Sequence, residues 1–230
     1  MKTSLDWQEL HRSLDEHGYV TIPHLLNQTE CLEIISTYEE EQLFRTTINM
    51  ARYRFGVGEY KYYDAPLPGL IQQLREAFYP ELAKTANRWL EHLGKPAAYP
   101  VLLTDFLNEC HREGQTRTTP LILKYEAGGY NCLHQDLYGS VFFPFQLVIA
   151  LNQRDQDFTG GELLLTEQRP RAQSRGHAIQ LQQGDALIFP THHRPVLGTR
   201  GYYKTIIRHG VSTITSGTRY SLGIIFHDAR

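Results

Sequence analysis

The spacing of apolar residues changes part of the way along the chain. Residues 4–17 (SLDWQELHRSLDEH) set Trp7, Leu10 and Leu14 three and four apart, which is one stripe of a helix, and Gly18 follows as a stop. YVTIPHLL (19–26) reads as a strand with Pro23 near its end. Asn27 and Glu30 hold the reciprocal positions of a capping box, so a second helix starts there, with Leu32, Ile35 and Tyr38 at helical spacing. YRFGVGEYKYY (53–63) reads as extended. Leu70, Leu74, Phe78, Leu82, Trp89 and Leu93 predict a long helix bent at Pro80, and TDFLNECHREG (104–114) predicts a further helix closed by Gly114. From residue 119 the texture is different. PLILKYEAGGY, VFFPFQLVIAL, GGELLLTE, HAIQLQQGDALIFP, YYKTIIRHGV and RYSLGIIF are short apolar or alternating runs divided by turn residues. Such regular short strands predict a barrel or sandwich. The pattern therefore predicts an α+β, mainly β chain: a single domain over 1–230, with a mostly helical lead-in (1–118) and a β core (119–230).

Composition narrows the class. Of 230 residues, 41% are apolar and 21% charged, as in an ordinary globular protein. No run is apolar enough to span a bilayer, so no membrane partner is expected, and the polar, amphipathic N-terminus does not read as a signal peptide. Cys31, Cys110 and Cys132 are few and far apart, which suits a reducing cytoplasm and argues against a disulfide framework or a Cys-rich zinc site. Net charge is −2, but unevenly spread. Residues 168–220 hold Arg169, Arg171, Arg175, Arg194, Arg200, Lys204, Arg208 and Arg219 against Asp185 alone. The basic 168–208 segment is either a surface for an anionic polymer such as nucleic acid or a set of solvated strand faces.

The candidate chemistry lies in NCLHQDLYG (131–139). His134 and Asp136 are two apart in a stretch that reads as sheet, so they can face one point. A metal site needs a third ligand. His177, His192, His193, His209 and His227 lie downstream. His192 and His193 fall between Pro190 and Pro195, which predicts a loop, and His193 suits the substrate side better than the metal. His209 ends one predicted strand, and Arg219, ten residues on, begins the next. Two histidines and one carboxylate leave open positions on iron(II), as in non-heme oxygenases. A dicarboxylate co-substrate also needs a fixed cation, and the planar fork of arginine fits a carboxylate best. Cys132 reads as a packed thiol, and Gly160-Gly161 as a turn ahead of a strand. No GxSxG, P-loop or CxxC pattern supports a hydrolase, an NTPase or a zinc ribbon.

HQD (134–136), His209 and Arg219 resemble the signature of iron(II)/2-oxoglutarate-dependent dioxygenases, together with KYEAGGYNCLHQD (124–136), FTGGELLL (158–165), GDALIFP (184–190) and HGVSTITSGTRYSL (209–222). The resemblance is dense over 119–229. It implies a double-stranded β-helix (jelly-roll) core with N-terminal helices packed on it. It implies iron(II) on His134, Asp136 and His209, 2-oxoglutarate on Arg219 with Tyr125 lining its pocket, and O2 as oxidant. FTGGELLLTEQRPRAQSRG and HHRPVLGTRGYYKTIIRHGVS are similar to a bacterial oxygenase family described as oxidatively demethylating damaged DNA. That resemblance implies hydroxylation of an N-methyl carbon with release of succinate and CO2, and it makes Arg169, Arg171, Arg175 and His193 candidates for the substrate side. The chain has Leu123, Tyr138 and Ile225 where alkylation-repair enzymes carry Asn, Glu and a second Arg. Its YxxG…HxD…GGE layout is equally close to prolyl-type protein hydroxylases. A cupin-like metal protein without 2-oxoglutarate and a non-catalytic binding module are the further alternatives.

Overall fold

Helix α1 (Trp7–His17) begins where the Asp6 carboxylate accepts the Glu9 N–H. It ends at Gly18, whose φ of +83° is a left-handed turn that glycine adopts without strain. The computed structural model describes residues 4–230. Strand β1 (Val20–Ile22) is shorter than the 19–26 run suggested. Helix α2 (Gln28–Ser36) carries both halves of the Asn27/Glu30 capping box. Its buried residues are Cys31 and Ile34, and Leu32 is exposed, which corrects the expected stripe. The helix stops at Ser36, and Tyr38 is turned inward by a separate 3-10 turn, so a spacing that includes Tyr38 does not define the helix face.

Strands β2 (Phe44–Asn49), β3 (Gly56–Val57) and β4 (Glu59–Tyr63) precede helices α3 (Gly69–His92) and α4 (Leu103–Arg112). Then come β5 (Leu121–Glu126), β6 (Tyr130–His134), β7 (Phe145–Ala150), β8 (Phe158–Gly160), β9 (Leu163–Gln168), β10 (Arg175–Ile179) and β11 (Ala186–Pro190). The chain closes with β12 (His193–Gly198), β13 (Gly201–Val211) and β14 (Ile214–Ile225). The larger sheet runs β1-β11-β7-β14-β5-β4-β2, with β8 also on β14; the smaller runs β10-β9-β13-β6-β3, with β12 also on β13. Every pairing between these strands is antiparallel. The architecture is α+β, mainly β: a jelly-roll core with helices on one side.

Alternation along the strands explains the layering. On β7, Leu147 and Ile149 join the core that includes Leu74, Phe78, Leu82 and Trp89 of α3, while Val148 and Ala150 pack with Leu163 and Leu165 of β9. Both faces of β7 are therefore buried, which is why VFFPFQLVIAL reads as one continuous apolar run. On β14, Leu222 and Ile224 face the helices, leaving Arg219, Ser221 and Gly223 for the cavity between the sheets.

Two further expectations are corrected. His193 does not lie in a loop: it opens β12, opposite Ile206, and Pro195 pairs with Lys204. Among the described strands β12 is bonded only to β13, so the missing proline N–H breaks no ladder on its open edge. The lead-in also supplies a strand that was not expected, β2, which pairs with β4; β3 and β4 fall within the run 53–63 that reads as extended, β4 joining the larger sheet through β5 and β3 adding to β6.

Candidate metal centre

Strand β6 ends at His134, and Gln135 and Asp136 follow in irregular backbone. The Gln135 amide donates to the carbonyls of His192 (2.9 Å) and Ile207 (2.8 Å), fixing the turn against β13. The register of β13 on β6 sets His209 opposite His134. As a result one ligand atom from each of His134, Asp136 and His209 lies within 4.8 Å of the others. Asp136 Oδ2 is 3.1 Å from His209 Nε2, and Asp136 Oδ1 is 3.5 Å from His134 Nε2. Two ligands at right angles on an ion, each about 2.1 Å from it, stand about 3 Å apart, so these donors fit a small divalent cation bound on one face.

The tautomer of His134 agrees. His134 Nδ1 is 2.7 Å from the Cys132 carbonyl, which can only accept, so Nδ1 carries the proton and Nε2 keeps its lone pair. The side-chain amide nitrogen of Gln146 lies 3.5 Å from His209 Nδ1 and orients the ring from the side away from Asp136. Tyr138 donates to Asp136 Oδ1 at 2.7 Å and receives the Tyr62 hydroxyl at 3.0 Å. Burial works to raise the Asp136 pKa, but His209, His134 and the Tyr138 hydroxyl outweigh it and hold the carboxylate well below the usual range. Burial, then the neighbouring His209, lowers the His134 pKa and favours the neutral imidazole a metal requires.

Beside this cluster is a cavity of about 350 Å³. Arg219 lines it and is only 3% exposed. Its guanidinium donates to Ser221 Oγ (3.1 Å) and lies 5.7 Å from the Tyr125 ring centroid, but among the described residues no carboxylate oxygen comes within 4.0 Å of it. Burial lowers its pKa. A buried cation with no counter-charge is costly, and an anion entering the cavity would supply the partner. Tyr125 is fully buried, accepts from Asn131 Nδ2 (3.3 Å), and has its phenol pushed up to about 12 by burial, so it stays neutral.

The structure thus brings His134, Asp136, His209, Arg219 and Tyr125 to one cavity. It does not bring the other candidates there. Arg169, Arg171 and Arg175 are exposed on the β9–β10 hairpin and do not line the cavity; nor does His193, whose ring sits 3.0 Å from His192. Burial, with His192 adding to it, lowers the His193 pKa to about 4. Arg194 is no surface cation either: it is buried and paired with Glu167 at 2.8 Å. Cys132 lines the cavity and is exposed, not packed away. Gly160 and Gly161 do form the expected turn, with φ of +76° and +64°; a Cβ on Gly160 would meet the Thr213 carbonyl at 2.3 Å.

Sequence reading missed Gln135, Tyr138, Gln146 and Ser221, whose partners are visible only in three dimensions. It also missed Tyr60 and Tyr62, which wall the cavity from β4. Their signal was present as the two-residue spacing in EYKYY.

Residues 58–229 match the family of oxygenases described as catalysing oxidative methylation of damaged DNA. The chain belongs to this family and is an oxidoreductase. Uncharacterized proteins from two Mycobacterium tuberculosis strains are 52% identical over 167 residues, 73% of this chain and 72% of theirs. Among solved structures, a Pseudomonas putida prolyl-4-hydroxylase has a TM-score of 0.59 at 17% identity, over 97% of this chain and 99% of that one. The epimerase SnoN of nogalamycin biosynthesis, in complex with Fe3+, alpha ketoglutarate and nogalamycin RO, has a TM-score of 0.57 at 13% identity, over 95% of this chain and 82% of that one. The fold is therefore that of 2-oxoglutarate/iron(II) oxygenases.

Proposed function

We propose that the protein hydroxylates an N-methyl carbon of alkylated nucleic acid, with iron(II) on His134, Asp136 and His209 and 2-oxoglutarate on Arg219. The observation that carries the cofactor reading is a two-histidine, one-carboxylate cluster beside a buried arginine with no carboxylate oxygen within 4.0 Å among the described residues. The family description supports nucleic acid as the substrate. The likeness to a prolyl-4-hydroxylase, at 17% identity, supports the fold and not a protein substrate. We take the whole chain as one oxygenase unit, since strands from 20–63 and from 121–225 share the same two sheets. The three free cysteines suit a reducing cytoplasm.

When bound, iron(II) supplies the activation of dioxygen, coupled to oxidative decarboxylation of the 2-oxo acid. The chain does the positioning. His134 and His209 present their Nε2 atoms, with His134 Nδ1 tied to the Cys132 carbonyl, and Asp136 presents a carboxylate that Tyr138 keeps from rotating. Arg219 and the Ser221 hydroxyl grip the far carboxylate of the co-substrate, and Tyr125 flanks it. Leu121, Leu123, Val148 and Leu163 keep the cavity apolar and so strengthen that charge pairing. In sum, the N-methyl group, 2-oxoglutarate and dioxygen give an N-hydroxymethyl group, succinate and carbon dioxide. One oxygen atom enters the C–H bond and the other enters succinate. The hemiaminal then loses formaldehyde as its N–C bond breaks and the hydroxyl proton passes to nitrogen.

The test is succinate release from anaerobically loaded protein after oxygen is admitted, with and without a methylated oligonucleotide. Formation that needs iron(II) and 2-oxoglutarate, falls in Arg219→Ala and rises with the oligonucleotide is expected. Succinate release unchanged in Arg219→Ala removes the co-substrate role. Iron binding without any response to 2-oxoglutarate returns the cupin-like alternative.

A further inference from the structure

We propose that the segment Arg52-Tyr53-Arg54-Phe55 is a lip that holds single-stranded nucleic acid across the cavity mouth, with its arginines on phosphates and its rings against bases. The proposal rests on the reading of the metal centre given above. It concerns residues outside the 119–230 core.

The first observation is a concentration of exposed apolar side chains. Of the twelve large hydrophobic residues exposed among those described, six lie on the segments that frame the metal cluster: Tyr53, Phe55, Val57, Tyr130, Leu133 and Leu137. Phe55 and Leu133 also line the cavity. Tyr53 and Phe55 are 56% and 47% exposed, and their rings stack at 5.5 Å with 19° between planes. Two adjacent rings left in water suit a planar partner that stacks.

The second observation is charge. Arg52 and Arg54 alternate with those rings, and both are exposed. No carboxylate oxygen among the described residues lies within 4.0 Å of either. Arg54 lines the same cavity as the metal cluster. Rings alone would suit a peptide or a base equally. Rings interleaved with unpaired arginines suit a chain that offers aromatic faces and negative charge in alternation, which is a nucleic-acid strand. Arg169, Arg171 and Arg175 are equally exposed, but their hairpin lies outside the cavity lining.

The third observation is rigidity. The Phe55 carbonyl accepts the Cys132 N–H at 2.8 Å, and Gly56 pairs with Asn131, so the lip is fastened to the strand that carries His134. Arg54 holds φ of +61°, a conformation seldom adopted by residues with a side chain, secured by Phe55 N donating to the Met50 carbonyl at 3.1 Å. Gly56 is required there, because a Cβ would stand 2.2 Å from the Tyr130 carbonyl.

The experiment is fluorescence anisotropy of a labelled single-stranded oligonucleotide carrying one N-methylated base. The protein is loaded with iron(II) and 2-oxoglutarate without oxygen. Visible charge-transfer absorption and melting temperature are read on the same samples. Phe55→Ala is expected to weaken binding about 5- to 150-fold. The double variant Arg52→Ala/Arg54→Ala is expected to flatten the dependence of log affinity on log salt by about 0.7 for each phosphate no longer neutralised. All these side chains are exposed, so the melting temperature should not move. The lip is refuted if the oligonucleotide does not bind, or binds the variants as tightly as the parent. It is equally refuted if affinity is lost only when Arg169, Arg171 and Arg175 are replaced, or if a proline-containing peptide, and not the oligonucleotide, depends on Phe55. The absorption decides the metal centre separately: its presence beside a failed lip leaves that reading intact, and its absence ends that reading whatever the oligonucleotide does.

Discussion

Replacing Arg219 by methionine should make the ligand-free protein more stable while destroying its grip on 2-oxoglutarate. The side chain is 3% exposed and, among the described residues, has one hydrogen bond, to Ser221 Oγ, and no carboxylate oxygen within 4.0 Å. Exchanging buried charges for apolar groups of similar volume gains about 1–4 kcal/mol. Against this stand the lost bond to Ser221, worth about 1.5–3 kcal/mol, and weak contacts with the Tyr125 and Phe158 rings at 5.7 and 5.9 Å. The Ser221 hydroxyl is left beside the cavity, where water can serve it, so only part of that loss is realised. A net gain of about 1 kcal/mol follows, or a melting temperature about 2–4 °C higher for a chain of this size. Ligand binding should move the other way. Removing one partner of a desolvated charge pair costs about 2–5 kcal/mol, a 30- to 5,000-fold loss of affinity. The assay is thermal unfolding with iron(II), anaerobically, across a 2-oxoglutarate series. At a hundred times the parent's dissociation constant the ligand should add about 2.7 kcal/mol to the parent and at most about 0.9 kcal/mol to the variant. A ligand-free variant destabilised by about 2 kcal/mol or more, the range of a broken buried interaction, would show that Arg219 holds the fold together. Equal ligand-induced shifts in both proteins would show that it does not meet the co-substrate.

Three further outcomes are expected. Tyr138→Phe removes the hydroxyl that fixes Asp136 and should weaken iron(II) binding about 10- to 100-fold in an anaerobic titration, with the far-UV spectrum unchanged. Glu167→Ala strands the buried Arg194 and should cost about 3–5 kcal/mol in urea unfolding, whereas Arg175→Ala on the exposed hairpin should cost less than about 0.5 kcal/mol. His227 is fully buried with Nδ1 accepting the Phe143 N–H, and burial lowers its pKa to about 4. A histidine held neutral in the fold contributes stability that is complete above its unfolded pKa of about 6.5 and is lost as pH falls toward 4. Urea unfolding followed over that window should therefore fall more steeply in the parent than in His227→Asn, which keeps an acceptor but cannot take the proton.

The chemistry of the site was more legible in the sequence than its surroundings. His134 and Asp136 stand out because their spacing is local, and His209 and Arg219 because each lies near a strand boundary that turn residues mark. Even there the detail differs: Asp136 lies past the end of β6, and β14 starts at Ile214, before Arg219. What the spacing could not contain is long-range register. The pairing of His209 with His134 depends on how β13 lies on β6, and the amide of Gln135 reaches carbonyls of residues 192 and 207. Tyr138 shows the same limit. Its identity departs from the alkylation-repair pattern, yet its hydroxyl reaches the metal-cluster carboxylate and joins it to Tyr62 on a strand far away in sequence. Proline misled at β12, because a strand bonded on one side tolerates it. Charge misled at Arg194, because composition does not reveal that Glu167 is its buried partner.

The two halves of the chain divide the work of the cavity. His134, Asp136, His209 and the buried Arg219 all come from 134–219, on strands of the β core or next to them. Arg54, Phe55, Tyr60 and Tyr62, which face the same space, come from the segment between α2 and α3. The metal and the 2-oxo acid place strict demands on a few polar atoms held in a rigid sheet. The wall from β3 and β4 answers instead to whatever enters from outside. It meets the cluster's surroundings through the Tyr62–Tyr138 bond and through the pairing of β3 with β6, so the exposed side chains of Arg52, Tyr53, Arg54 and Phe55, which make neither of these bonds, should be exchangeable without moving a metal-cluster residue. Substrate preference should therefore follow residues 52–62, while dependence on iron and 2-oxoglutarate follows His134, Asp136, His209 and Arg219. Substitutions in the first set should change which substrate stimulates succinate formation, and substitutions in the second should abolish that formation for every substrate.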